Sequence, residues 1–438
     1  MSSGLQNIGR VPELQRRILF TLGMLAVYRI GSHIATPGIN PDVIRDFFQN
    51  AQGSVFGLFN LFSGGALEQL SIFALGIMPY ISASIIFQLL AVVVPQLEAI
   101  QKEGESGRRK IAQWTRYGTI VLALFQGFLI AVALENGQFG PGAVLEPGWG
   151  FRLMAVITLV TGTSFIMWLG EQITERGIGN GISMIIFAGI IVRIPSALGR
   201  LFELMSTDPD KFSVPSVLIL LILVVAATAV VVFFERGQRR IPIQHARRVV
   251  GRRVTQGGMS YFPLRVNTAG VIPPIFASSI LMFPLTIAQF TQSQAVRSFF
   301  TDWLGYGGFA YETIYVALII FFAYFYTAVV INPNDVAENI KKFGGFIPGI
   351  RPGKKTAEHI DRILARLTLV GAIYVAVVCV LPTFVSSQFG VPFYFGGTAL
   401  LIVVGVALDT IGQIESHLVQ RQYEGFVKGT RIRGRLGR

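Results

Sequence analysis

Apolar and polar positions fall into long alternating blocks along this chain. Windows of about 20 predominantly apolar residues lie near 15–36, 70–95, 116–135, 152–171, 179–198, 215–234, 268–290, 312–332, 364–388 and 393–414. Each is long enough to carry a helix across about 30 Å of hydrocarbon, so the pattern predicts an all-α membrane protein with ten transmembrane helices. The fifth window is the weakest, opening on Gly179-Asn180-Gly181 and closing at Arg193 and Pro195. One apolar stretch fits no window. Ser54–Leu67 is uncharged, too short to span, and broken by Gly64 and Gly65. Such a segment must lie on the interface or fold back into the protein. It is expected to fold back as a re-entrant plug helix and close a pore.

Composition agrees with lipid as the solvent. Of 438 residues, 52% are hydrophobic and 14% charged, against about 25% charged in globular domains. Arg16 and Arg17 precede the first apolar run, but no small-residue cleavage site follows, so the first helix is expected to stay in the protein. With ten spans both ends share a side. The N-terminus, the loops after spans 2, 4, 6 and 8 and the C-terminal tail hold 30 of the 37 basic residues against 13 acids, while the other side holds 7 basic and 10 acidic residues. The basic side is therefore expected to be cytoplasmic. Segment 193–213, with Arg193, Arg200 and Lys211, runs against that count.

Ten spans divide into two sets of five, residues 1–200 and 201–438, and an odd set re-enters from the opposite side, as in inverted repeats. Pro79-Tyr-Ile-Ser-Ala-Ser-Ile-Ile in span 2 resembles Pro274-Ile-Phe-Ala-Ser-Ser-Ile-Leu in span 7, 195 residues later. Both segments are expected to kink at an interior proline. Ser82, Ser84, Ser278 and Ser279 either satisfy freed carbonyls and pack helices closely, or mark a seam that opens. Ile77 and Ile81 are four apart, as are Ile182 and Ile186, so each pair projects from one helix face. Intramembrane charge is nearly absent. Arg29 is expected to snorkel from the outer end of span 1, and Asp409 lies toward the cytoplasmic end of span 10.

Polar residues concentrate in two cytoplasmic loops, about 235–267 and 333–362, and in a basic tail. The first loop carries Arg239, Arg240, Arg247, Arg248, Arg252 and Arg253, a patch suited to anionic lipid, RNA phosphates or an acidic protein. In the second, Arg351 stands between Pro348-Gly349 and Pro352-Gly353, followed by Lys354 and Lys355. That turn chemistry fixes the backbone and pushes the side chain outward. Enzyme motifs are missing, and Gly177–Gly181 reads as the entry turn of span 5, not as a phosphate loop. The single Cys379 excludes a disulfide framework or thiolate metal site, and no cofactor is expected. A secondary transporter with inverted repeats remains the alternative to a passive pore.

Asn60–Leu67, Phe73–Ile86, Lys102–Lys110, Gly170–Gly181, Phe234–Arg240, Pro348–Gly353 and Val391–Thr398 together resemble the bacterial SecY family, the channel subunits of the protein translocase. The resemblance covers nearly the whole chain. It implies a protein-conducting channel of two five-helix halves, with a plug holding Phe56, Leu58, Phe59, Leu61, Phe62, Gly64 and Gly65. It implies a constriction ring at Ile77, Ile81, Ile182, Ile186, Ile275 and Ile402, and a lateral gate between spans 2 and 3 and spans 7 and 8. The partners it implies are SecE and SecG, the SecA motor ATPase, a ribosome through its RNA and proteins, signal sequences and nascent polypeptides, and the surrounding lipid.

Overall fold

A computed structural model describes residues 11–50, 60, 63–207, 214–245, 248–250, 253–255, 258–290, 299–300, 305, 308–389 and 397–429. The chain is mostly helical. Its first half contains α1 (Pro12–Gly31), α2 (Pro41–Asn50), α3 (Met78–Val93), α4 (Pro95–Lys102), α5 (Glu105–Glu135), α6 (Trp149–Arg176), α7 (Gly181–Ile191) and α8 (Ile194–Thr207). Its second contains α9 (Val214–Arg236), α10 (Ile272–Phe290), α11 (Phe309–Val330), α12 (Pro333–Lys342), α13 (Lys354–Phe389) and α14 (Gly397–Gly429). Each of the ten apolar windows holds a helix. Among the described residues seven helical stretches are long and apolar enough to cross a membrane, or eight if the bent pair α3–α4 is one span. Of the other two, α1 is diluted by Arg16, Arg17 and Arg29, and α10 contributes the shorter apolar stretch Ile272–Leu281.

The second window is shorter as a helix than its hydrophobicity suggests. Residues 70–77 form turns, and α3 has 16 residues, about 24 Å at 1.5 Å per residue. The turns are held from outside: Ile72 N donates to Ile34 O at 2.9 Å and Thr36 N to Leu70 O at 3.0 Å. The expected interior kinks at Pro79 and Pro274 are not formed. Pro79 sits in the first turn of α3, and Pro273 and Pro274 directly follow Ile272 at the start of α10. A proline there sacrifices no helical hydrogen bond and fixes a suitable φ, so it starts a helix. The sharp bend comes later, 98° between α3 and α4 at Pro95. Val94 before it is extended, as the proline ring requires.

α5 and α6 pair as a long hairpin. On α5, Thr115, Thr119, Ala123, Gly127 and Ala131 are buried at every fourth position, a stripe of small residues that lets another backbone approach. Helices of the two halves pack mostly among themselves. Contact across is concentrated in two pairs, α3 with α10 and α7 with α14.

The loops at about 235–267 and 333–362 add strands to an otherwise helical chain. β1 (Gln238–His245) pairs antiparallel with β4 (Met259–Arg265) and with β5 (Gly345–Phe346), while β2 (Arg248–Val250) pairs with β3 (Arg253–Thr255). Ile241, Leu264 and Ile347 from the sheet region bury against Ile360, Ile363 and Leu364 of α13. Two loops that look separate in sequence thus share one platform on the base of α13.

Candidate functional site

Four elements bring the six isoleucines into one apolar cluster. Ile77 is the residue that caps α3, Ile81 lies one turn in, and Ile81 N donates to Ile77 O at 3.1 Å. Ile182 and Ile186 lie on α7, Ile275 on α10 and Ile402 on α14. Five of them are buried, and Ile182 packs against the same cluster half-buried. α7 is aimed by Asn180, whose Oδ1 accepts from Ile182 N at 3.1 Å and Ser183 N at 3.3 Å. Its entry loop, 177–180, is fixed on two sides. Thr21 Oγ1 of α1 accepts from Ile178 N at 3.0 Å, and Gln413 Oε1 of α14 accepts from Gly179 N at 2.8 Å.

Of the expected plug residues, Phe56, Leu58, Phe59, Leu61 and Phe62 lie outside the described residues. Gly64 and Gly65 are described, with φ of +65° and +88°, values that favour glycine. Gly64 meets Gly189 of α7 so closely that a Cβ on Gly64 would lie 2.7 Å from the Gly189 Cα. Two side chains of α1 hold the same turn: Tyr28 Oη donates to Ser63 O at 3.0 Å and Arg29 Nη1 to Gly64 O at 2.9 Å. Arg29 therefore turns inward to the chain instead of snorkelling. Asn60 and Glu68 close the loop on itself, with Asn60 Nδ2 donating to Glu68 Oε2 and Glu68 N to Asn60 Oδ1, both at 3.1 Å. Arg193 Nη2 then reaches Glu68 Oε2 at 2.6 Å.

That ion pair gives a partner to Arg193, which ran against the charge count along the sequence. Sequence reading gave no role to Tyr28, Asn60 or Glu68 and did not foresee the partners of Arg29 and Arg193. A signal was present: Glu68 is the one charged residue between Asp46 and Glu98, in a segment otherwise apolar or neutral.

Two of the four serines bond a carbonyl of their own helix. Ser278 and Ser279 are buried and donate to Ile275 O at 3.0 and 2.8 Å, and Ser84 Oγ accepts from Gln88 Nε2 at 3.0 Å. Ser82 is half-buried. Among the described residues no hydrogen bond joins α3 to α10, whereas α7 and α14 share the Gln413 contact and a Thr410 Oγ1 to Met184 Sδ contact at 3.5 Å. One seam between the halves is apolar and untied. The other is tied.

On the platform, Arg239 and Arg240 are exposed on β1, opposite Leu264 and Pro263. Arg248 and Arg253 belong to the small β2–β3 pair, while Arg247 and Arg252 lie outside the described residues. Arg351 is exposed at its turn, between Gly349 (φ +80°) and Gly353 (φ +102°). Its backbone carbonyl accepts from Thr356 Oγ1 at 3.0 Å, and its guanidinium has no hydrogen bond or ion pair among the described residues. Lys354 is exposed, and Lys355 is paired with Glu358 at 3.0 Å. At the far end of span 10, Asp409 pairs with Arg265 at 3.5 Å.

Comparison with known proteins points one way. The SecY family model matches residues 71–411. The protein translocase subunit SecY of Escherichia coli (strain K12) is 52% identical over 429 residues, 97% of this chain and 96% of the relative. Among solved structures, the fold resembles a SecY channel described by a plug domain that stabilises its closed state and maintains a membrane seal. That likeness has a TM-score of 0.67 at 17% identity, over 97% of this chain and 95% of that one. It also resembles Sec61 in a canine ribosome–channel complex from the endoplasmic reticulum, with a TM-score of 0.65 at 15% identity over 97% and 95%.

Proposed function

Because the chain belongs to the SecY family, we propose that it is the protein-conducting channel of a translocase. It passes unfolded secretory polypeptides across the membrane and releases apolar segments sideways into lipid. The channel is passive, and the work comes from a partner on its basic platform. The observation that carries this reading is the gathering of Ile77, Ile81, Ile182, Ile186, Ile275 and Ile402 from four elements into one apolar cluster. Branched apolar side chains offer nothing to replace an ion's hydration shell, so such a ring excludes ions by dewetting. It still yields around an extended polypeptide, because only dispersion and the hydrophobic effect close it.

The plug, residues from Phe56 to Gly65, is the second seal above the ring. The halves 1–200 and 201–438 move as two bodies, hinged where α7 and its entry loop are tied to α14 and parting where α3 meets α10 with no hydrogen bond among the described residues. Ser82, Ser84, Ser278 and Ser279 lie on the helices of that lateral gate. A signal sequence presents an apolar run of about 7–15 residues, which lipid solvates better than a wet pore. An untied seam lets it partition sideways while the following chain threads the ring. The basic residues of the platform, Arg351 foremost, receive SecA or the ribosome. SecE and SecG complete the complex, with both termini cytoplasmic in a bacterial plasma membrane.

The test reconstitutes the channel complex in vesicles with the SecA motor and follows protease protection of a signal-bearing precursor. The unmodified complex should import it. A variant with Ser82→Cys and Ser278→Cys, once crosslinked, should stop importing and recover with reductant, while either single variant works throughout. A crosslinked channel that imports at the normal rate would remove the gate. An intact complex that imports nothing would remove the function.

A further inference from the structure

We propose that Glu68 and Arg193 form an ionic latch that holds the base of the plug to α7, so that widening the isoleucine ring and freeing the plug are one coupled event. This rests on the plug reading above and goes beyond it by naming what keeps the plug seated.

Among the described residues, the loop from Asn60 to Glu68 shares an apolar cluster with α7 through Ala66 and meets α7 and the turn after it at two further points. One is the Gly64–Gly189 contact, backbone against backbone with no side chain between them. Such a surface has no donor or acceptor pair and separates without breaking a bond. The other is the Arg193–Glu68 ion pair at 2.6 Å. Its carboxylate oxygen is also the acceptor for Asn60 Nδ2, so the pair fastens a loop that is already closed on itself. The arginine crosses Gly65, with Nε 3.8 Å from where a Cβ there would stand. α1 holds the loop through the carbonyls of Ser63 and Gly64. Between the loop and α7, the Glu68–Arg193 contact is the one that joins opposite charges.

Position makes this contact a coupling device. Ile182, Ile186 and Gly189 follow one another at spacings of four and three along α7, so ring residues and plug contact share one helix face. Arg193 lies two residues past the end of that helix. A polypeptide that pushes Ile182 and Ile186 outward moves α7, and α7 carries Gly189 and Arg193 with it. The side chains of Arg193 and Glu68 are 24% and 21% exposed, so the pair is neither fully screened nor fully desolvated. Its strength lies between the exposed and buried extremes. Loss of either charge should raise resting occupancy of the open state about tenfold, which corresponds to about 1.4 kcal/mol.

Single-channel conductance of the purified channel complex in planar bilayers, without precursor or motor, reads that occupancy directly. Glu68→Gln and Arg193→Gln should each raise resting open probability about tenfold. The exchanged double variant, Glu68→Arg with Arg193→Glu, should return to near the wild-type level, which a merely structural defect would not do. Folded yield in detergent accompanies each variant. A third channel, lacking residues 56–66, separates the two readings. If the deletion leaks while both single variants stay closed, the plug stands and the latch is wrong. If the deletion does not leak, the plug reading fails and the latch falls with it. An exchanged variant as leaky as the singles also overturns the latch.

Discussion

Gly189→Ala separates folding from gating in a single atom. Alanine is the better helix former by about 0.8–1.0 kcal/mol in an interior position, so α7 itself gains. The new Cβ, however, would lie 2.9 Å from Gly64 Cα and 3.3 Å from Gly64 N. Carbon atoms settle at about 3.5–4.0 Å, so the loop must retreat by roughly 0.6 Å or more. It has little room to do so, because Tyr28 and Arg29 hold its carbonyls at 3.0 and 2.9 Å and Glu68 is fixed to Arg193. Overpacking a well-fitted contact costs about 1–3 kcal/mol. If opening separates the two glycines, as the latch proposal requires, that cost falls on the closed state alone. The equilibrium should therefore move toward open by roughly 5- to 150-fold. Ion efflux from vesicles holding the resting complex measures the shift, and thermal stability of the detergent-solubilised complex should be unchanged or lower by at most roughly 2 kcal/mol, the packing cost less the helical gain. A Gly189→Ala channel that folds normally and leaks no more than wild type would refute the claim that this contact keeps the channel shut.

Replacing Ile77 and Ile81 by Gly should widen the ring and raise single-channel conductance, whereas Leu at both should act mildly because size and apolarity persist. The helical penalty of about 1 kcal/mol applies mainly to Ile81, because Ile77 precedes the first turn of α3. Unchanged conductance in a folded double-glycine channel would place these side chains outside the path. On the platform, Arg351→Glu should abolish SecA-driven import while folded yield and complex assembly stay normal, since the side chain is exposed and bonded to nothing within the described chain. Arg351→Lys should be partly active, because a point charge does not reproduce the guanidinium fork. Normal import by Arg351→Glu would leave that turn without a docking role.

The transmembrane helices were legible because lipid imposes a coarse rule: apolar residues in blocks long enough to span. That rule also misled at residues 70–77, which are as apolar as a helix but form turns. Two of their backbone groups, Leu70 O and Ile72 N, are bonded by Thr36 N and Ile34 O of the linker after α1, a partnership that hydropathy does not encode. Pro79 carried two meanings for the same reason, since a proline kinks a helix that has already begun and starts one that has not. Ile77, Ile81, Ile182 and Ile186 were paired by spacing, whereas Ile275 and Ile402 rested on resemblance, being single residues on separate helices. Glu68 and Arg193 are 125 positions apart and each reads alone as a stray surface charge. The strands were hidden in arginine-rich runs that pair over long range, β1 with β4 and then with β5.

The pairing of β1 with β5 gives the platform a mechanical character. β1 begins two residues after α9 ends, and the turn after β5 runs straight into α13. With Gln244 opposite Phe346 and His245 opposite Gly345, the two loops are stitched across their backbones. A load applied at the Arg351 turn is thus shared between two membrane helices at once and does not bend one loop alone. Whatever grips this sheet holds a stiff handle, and its leverage reaches the second half of the channel as torque.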